Sequence, residues 1–452
     1  MKKSLMEQQL DSFSCEARLQ ALGKIVKSKP AFPKTRELVN MHFHSFFSYN
    51  SEGWTPSRIA LESRKSGLFA AGVIEFDVID GLQEFQVAGE ILKLRISVGV
   101  ETRSYFARFA AVDIDSPGEP GVNYVIAAGF SKPLREGSAQ SVKLAYFRKR
   151  AADRNIALVG RINSKVSSIA VDYVKDVLPL TPSGNATERH IITAYIDKAE
   201  KVCTDKKELV KFWSEILGKP DAEISDLINK RPALEEVVRS KFAKKGGFGY
   251  VQPTQESFPP VSEFYRWAKE CGTIPMEAWL DGTSGGECNT SEYLEATIAE
   301  GAQALNIIPD RNWNIKDPTA KALKVRKLRE VVETADRMGM PIIIGTEMNK
   351  GGQPVFDDLT VPELCDFKNV FVKGAKIVVG HSTIARFADY TYSGTDAESD
   401  FGKDVCGKNN FFASVGALPP LDVKKSAKLK SMGQQKAFSE IVESARKSAW
   451  TV

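Results

Sequence analysis

Short apolar runs alternate with amphipathic segments along most of the chain. Seven runs have the length and composition of buried strands: residues 38–44, 69–75, 95–101, 123–128, 273–278, 304–309 and 341–347. Strands buried on both faces are continuously apolar, so the alternation with helical segments favours a parallel sheet covered by helices. Seven such units predict an α/β fold built as a TIM-like (β/α)7 barrel, whose functional groups gather at the carboxyl ends of the strands.

Three regions differ from this rhythm. Residues 1–37 form a helical lead-in that ends at two prolines, and the barrel is expected to span 38–415. Within it, the charged block at about 188–245 predicts a helical insertion lying outside the barrel wall. The basic tail, 416–452, predicts a solvated helix.

Composition narrows the class of protein without naming a function. The chain has 452 residues, of which 42% are hydrophobic and 26% charged, as in an ordinary globular enzyme. A formal charge of +5 is small for this length, so no nucleic-acid partner is expected. Six scattered cysteines, no long apolar run and no apolar leader predict a cytoplasmic protein with reduced thiols and no membrane partner. The oligomeric state stays open.

Two of the four histidines, His42 and His44, lie at the end of the first apolar run with one residue between them. On a strand, side chains two positions apart point to the same face. Two imidazoles on one face can form half of a metal site. Two structural histidines can also alternate on a strand, so this pair alone leaves both interpretations open.

Acidic side chains end three further runs. Glu75 and Asp77 close the second, Glu101 closes the third, and Glu347 closes the seventh with Asn349 two residues beyond. Carboxylates crowded at one barrel mouth raise each other's pKa unless a cation is bound. Histidine and carboxylate together suit zinc, manganese or iron. The alternative is that these acids cap helices or pair with lysines.

The order of these motifs resembles the PHP (polymerase and histidinol phosphatase) family. The matching segments are His42–Gly53, Thr55-Pro56, Val73–Asp77, Gly99–Glu101, Arg189-His190 and Tyr250–Pro253. The resemblance covers about residues 38–390. It implies a barrel of PHP type and a metal-dependent phosphoesterase that uses a metal-activated water, with one to three divalent ions of manganese, zinc or iron.

The resemblance also implies roles for particular residues, although several family histidines are replaced. Asp77 stands where the family has a histidine, and Tyr124, Glu277 and Glu347 lie in segments where histidines are missing or changed. The implied metal ligands are His42, His44, Asp77, Glu101, His190 and Glu347. The implied catalytic residues are His190 and Asp77, and the implied substrate-binding residues are Arg189 and Asn349. Arg311, which follows the sixth strand, is a further catalytic and substrate-binding candidate because a guanidinium can pair with an anion in fork geometry. It could equally pair with Asp310 or a helix terminus.

The changed positions leave other functions open. The polar residues gained where histidines are missing could suit a sugar acid or another non-phosphate substrate of a hydrolase or isomerase; they are Glu277, Asp281, Glu347 and Asn349. A degenerate barrel could instead be a non-catalytic binding protein. In the enzyme hypotheses the partner is a small, anionic molecule, which Arg311 or the glycine-rich loop 281–287 could contact. His381, after a later apolar run, is expected to be structural.

Overall fold

The computed structural model describes residues 5–452, and in this part of the chain it confirms the seven strands and their curvature into a nearly closed barrel. The strands are β1 (Val39–Phe43), β2 (Ala70–Phe76), β3 (Arg95–Tyr105), β4 (Val122–Ala128), β5 (Ile274–Trp279), β6 (Ala304–Ile307) and β7 (Ile342–Ile344). They lie in sequence order in one sheet. A parallel bridge between Phe43 and Glu347 joins the two ends of the sheet.

The prediction of a wholly parallel sheet was wrong for one strand. β4 runs antiparallel to both β3 and β5, whereas the other neighbouring pairs are parallel. A parallel pair needs a crossover, usually a helix, but residues 106–121 contain only a single short turn of 3₁₀ helix. The chain therefore folds straight back, and the beginning of β4 lies at the mouth where the other strands end.

Helices surround the sheet. They are α1 (Leu5–Gln9), α2 (Cys15–Lys27), α3 (Pro56–Lys65), α4 (Leu82–Leu92), α5 (Ala139–Asn163), α6 (Glu188–Val202), α7 (Lys206–Leu217), α8 (Asp221–Ile228), α9 (Arg231–Ala243), α10 (Val261–Glu270), α11 (Thr290–Glu300), α12 (Asp310–Trp313), α13 (Pro318–Arg337), α14 (Lys368–Ala388), α15 (Thr395–Phe401), α16 (Val405–Ala417), α17 (Val423–Ser431) and α18 (Gln434–Arg446). Their apolar faces and the strands form the main hydrophobic core.

A second hydrophobic core lies within the helices α5–α9, which we call the helical cover. Its largest buried side chains include Trp213, Phe242 and Tyr195, and the carboxyl-terminal half of α5 contributes Leu158 and Ile162. Side chains of α5, α6 and α9 line a cavity together with residues of the barrel mouth. The cover therefore lies over the mouth, whereas the charged block was expected outside the barrel wall.

The basic tail is packed rather than solvated. It forms α17 and α18, whose buried Leu429, Ala437 and Ile441 belong to the main core. Hydrophobic burial of one face explains why this lysine-rich segment is helical. Among residues 5–452, no helix combines the length and the apolar character required to cross a membrane.

Candidate metal centre

Three side chains from two strands converge inside the barrel mouth. His42 lies on β1, and His44 directly follows its last residue with its ring beside that of His42. Glu101 lies on β3, level with the last residue of β2. The third strand continues to Tyr105, so Glu101 is inside it and not at its end as predicted. Each histidine Nε2 lies 3.6 Å from Glu101 Oε2. The three ligand atoms all lie within 4.8 Å of one another.

These three atoms are buried and have no hydrogen-bond partner among residues 5–452. An unpaired buried polar atom costs about 1–3 kcal/mol, so three aimed at one point require an explanation. An ion bound tetrahedrally at about 2.1 Å from each ligand would separate the ligand atoms by roughly 3.4 Å. The observed separations and the nitrogen and oxygen donors therefore fit one divalent ion.

The second ring nitrogen of each histidine already has a partner. His42 Nδ1 lies 3.2 Å from Asn306 Oδ1, and His44 Nδ1 lies 3.3 Å from Ser48 Oγ. Asn306 Oδ1 can only accept, so this contact places a proton on His42 Nδ1 and turns Nε2 toward Glu101. Metal-binding histidines are usually held in this way. Burial opposes protonation of His42, but the negative charge of Glu101 raises the pKa of the ring. At the end of β7, a Cβ on Gly345 would lie 2.5 Å from His42 Cβ, so a larger residue there would displace the ring.

Glu347, Arg311 and Asn349 form a second group beside the centre. Glu347 Oε2 accepts from Arg311 at 2.5 Å and from Asn349 at 3.3 Å. Burial opposes ionisation of Glu347, but Arg311, His42 and His44 outweigh it and keep its pKa below the ordinary value. Glu347 has a φ of +59°, a strained conformation for this residue that recurs at functional sites.

The remaining predicted ligands lie outside the group of three. Asp77, with a φ of +56°, lies on the cavity wall, where its Oδ1 accepts from Thr102 at 2.6 Å. His190 lies in the first turn of α6, where Nδ1 accepts from the Thr187 N–H at 3.1 Å. Burial lowers the pKa of His190 to about 4, so the ring is neutral. His190 is not among the described residues that line the cavity, whereas Arg189 is.

A cavity of about 810 Å³ separates the barrel mouth from the helical cover. Eight cationic side chains line it: Arg103, Arg154, Arg161, Arg189, Arg239, Arg311, Lys244 and Lys245. Several are neutralised, for example Arg103 by Glu119 and Arg239 by Glu188. Arg154 has no ion pair within the part of the chain described, and burial lowers its pKa to about 10. Six carboxylates also line the cavity, those of Asp77, Glu101, Asp115, Glu119, Glu188 and Glu347. Eight cations against six carboxylates leave a formal excess of two positive charges, which suits an anion.

Sequence reasoning missed two of the residues that shape this site. Asn306 is the polar residue within the apolar run of β6, and that interruption was the available signal. Arg154 lies on α5, between the fourth strand and the predicted insertion, in a segment with no recognisable motif. Its contribution depends on how the cover packs over the mouth, which no local pattern encodes.

Two of the four residues that suggested other substrates, Glu277 and Asp281, are fully engaged away from the metal centre. Glu277 accepts from Tyr293 at 2.9 Å, from Asn123 at 2.8 Å and from Tyr265. Asp281 forms an ion pair with Lys324 at 2.7 Å. These contacts explain both carboxylates without a ligand.

The glycine-rich loop is held from within. Glu287 accepts from the backbone N–H groups of Leu280, Asp281 and Gly282 at 2.7–3.1 Å. The sequence had suggested that this loop could bind an anionic substrate, but these three N–H groups are already bonded to Glu287.

His381 is structural, as predicted. It lies in α14, with Nδ1 accepting from the Tyr392 N–H and Nε2 facing the Gly129 carbonyl, both at 3.1 Å. Both ring nitrogens are therefore satisfied.

Comparison with known proteins assigns no family. No protein-family model and no curated protein matches the chain. A proposed metal-dependent phosphoesterase from Bifidobacterium adolescentis is 18% identical, with a TM-score of 0.45, over 74% of this chain and 97% of that one. An amidohydrolase from Chromobacterium violaceum, solved with sulfate and no metal, is 13% identical, with a TM-score of 0.42, over 74% and 96%. Likenesses this weak assign neither a family nor an activity.

Proposed function

We propose that the protein is a metal-dependent hydrolase whose substrate is a small anionic molecule, most specifically a phosphate ester. One observation carries the proposal: three buried ligand atoms of His42, His44 and Glu101, with no partner in the described residues, converge beneath a cavity lined by guanidinium groups. Zinc, manganese and iron all accept such a ligand set.

His42, His44 and Glu101 would hold one divalent ion. An ion held by three protein ligands supplies an acidified water and polarises a substrate oxygen. The sequence allowed up to three ions, and Glu347 and Asp77 were the other carboxylates predicted as ligands. Glu347 is already bound by Arg311 and Asp77 by Thr102, so the proposal needs only one ion.

Two arginines are proposed to orient the substrate. Arg311 lies beside the metal centre, and its guanidinium can pair with a phosphate oxygen in fork geometry. Arg154 approaches from the cover, where its Nη1 donates to the Ser257 carbonyl and its guanidinium lies over the Phe258 ring. These contacts fix the charge at the cavity wall and leave other donors available. Arg189 is engaged by Glu236, so its proposed role in binding requires that pair to open.

The test combines metal analysis with a substrate panel. Protein loaded with manganese or zinc should hydrolyse phosphate mono- or diesters, and chelation should abolish turnover. Arg154→Gln should raise KM by about tenfold, because a charge-assisted hydrogen bond contributes about 1.5–3 kcal/mol. Arg150→Gln is the matched control: Arg150 lies one turn away on α5 and contacts Tyr146 and the Glu256 carbonyl instead of the cavity.

Other outcomes separate the alternatives. Turnover of uncharged lactones or sugar acids by metal-loaded protein, with none of phosphate esters, would support a non-phosphate hydrolase. Protein that binds no ion even after reloading would support a non-catalytic role. Of the four residues behind the non-phosphate alternative, Glu277 and Asp281 are engaged elsewhere in the protein. Glu347 and Asn349 line the cavity and are the two that could contact such a substrate.

A further inference from the structure

A buried carboxylate lies behind the metal centre. Glu75 ends the apolar part of β2, has no exposed surface and lies outside the group of three ligand atoms. Both of its oxygens lie 3.2 Å from the Ser45 N–H, and it also accepts from the hydroxyl groups of Ser45 and Ser48. Glu75 thus ties the turn that follows β1 to the neighbouring strand.

The Ser48 hydroxyl connects this carboxylate to a ligand. A hydroxyl has one proton to donate, and Ser48 donates it to Glu75. Its oxygen can then only accept from His44 Nδ1, which lies 3.3 Å away. The Ile74 carbonyl is a further backbone partner of the His44 ring. With the proton held on Nδ1, the lone pair of Nε2 points toward Glu101.

We infer that Glu75 is a positioning residue that acts through Ser48 to fix the tautomer and orientation of His44 as a metal ligand. The inference rests on the proposed metal centre and assigns two residues that sequence reasoning left without a role. Glu75 was one of the acids at the predicted strand ends, but its oxygens accept from Ser45 and Ser48 and lie outside the group of three ligand atoms.

If this inference is right, exchanging Glu75 for glutamine should impair metal binding by His44. A glutamine amide can donate to Ser48, which would turn the serine proton toward His44 Nδ1. That arrangement favours the proton on Nε2, where it blocks metal binding. Glu75→Gln should therefore change the metal affinity and the ligand field of a bound ion while leaving the fold intact.

The experiment measures Zn²⁺ affinity by competition with a chelating dye, and the visible spectrum of the Co²⁺-loaded protein. Ser48→Ala and Glu75→Gln should each weaken Zn²⁺ binding by about 10–100-fold, the usual effect of removing a partner of a ligating histidine. Ser48→Thr keeps the hydroxyl and should restore affinity. Glu277→Gln is the matched control, because Glu277 is an equally buried carboxylate that contacts no ligand of the centre.

The outcomes separate this inference from the proposed function. Wild-type affinity and an unchanged Co²⁺ spectrum in both Ser48→Ala and Glu75→Gln would overturn the inference while leaving the metal centre intact. Absence of ion binding by the wild-type protein would overturn both. Should Ser48→Ala fail to fold, Glu75→Gln decides alone, because it preserves the size and shape of the side chain.

Discussion

Two buried polar clusters on the same barrel differ in how their atoms are satisfied. Around Glu277, two tyrosine hydroxyls and the amide of Asn123 donate to the two carboxylate oxygens. Around Glu101, two imidazole nitrogens approach a carboxylate oxygen to 3.6 Å and none of the three atoms has a hydrogen-bond partner in residues 5–452. The first cluster is complete in the protein alone, whereas the second leaves three ligand atoms without a partner in the described part of the chain.

The comparison shows that a perturbed pKa is a poor guide to the site in this molecule. Burial raises the pKa of Glu277 to about 8 and that of Glu287 to about 7, yet hydrogen bonds within the protein occupy both carboxylates. Shifted pKa values accompany structural networks as well as catalytic groups. Unpartnered ligand atoms at a common point discriminate better.

Truncating one residue from each cluster should have different consequences: loss of metal affinity at the Glu101 cluster and loss of stability at the Glu277 cluster. This is the largest expected effect. His44→Ala should lower metal affinity by more than about 100-fold, exceeding the loss caused by removing a histidine's supporting partner. Glu277→Ala should leave metal content unchanged but lower the free energy of unfolding by about 3 kcal/mol, because three buried donors lose their acceptor. Elemental analysis and urea denaturation measure the two effects.

Two results would contradict this difference between the clusters. Full metal content in His44→Ala would remove His44 from the centre. Loss of metal in a folded Glu277→Ala would mean that the Glu277 cluster also supports the site.

The Glu277 cluster should also give the protein a particular pH dependence. An unfolded glutamate titrates near pH 4.5, while burial raises the pKa of folded Glu277 to about 8. Between these values the unfolded chain ionises first and binds fewer protons, so stability falls as pH rises. Relative to Glu277→Gln, the wild-type protein should lose about 3–5 kcal/mol between pH 4.5 and pH 8.

Urea unfolding at several pH values measures this difference. Apo protein should be used for both chains, so that metal binding does not add its own pH dependence. Parallel curves for wild type and Glu277→Gln would show that Glu277 is ionised in the folded protein.

The sequence predicted what local pattern controls. Apolar runs located the seven strands, and the spacing of His42 and His44 placed both rings on one face because side-chain direction alternates along a strand. It failed where long-range packing decides. The antiparallel direction of β4 follows from the absence of a crossover helix between β3 and β4. Whether a buried carboxylate finds hydrogen-bond donors depends on residues distant in sequence: Glu277 accepts from Asn123, about 150 residues away along the chain.

Replacing Asn306, the hydrogen-bond partner of His42, should have a smaller effect on metal affinity than truncating His44. Asn306 supports His42 alone, through one hydrogen bond of 3.2 Å. Asn306→Leu should weaken Zn²⁺ binding by about tenfold, because the ring loses the acceptor that fixes its tautomer. Asn306→Asp keeps an acceptor and should bind Zn²⁺ at least as tightly as wild type. Asn409→Leu is the control, because Asn409 is similarly buried but contacts no ligand of the centre. Asn409 accepts from the Tyr392 hydroxyl and donates to the Gly339 carbonyl. Equal affinities for Asn306→Leu and Asn409→Leu would show that His42 is oriented by packing alone.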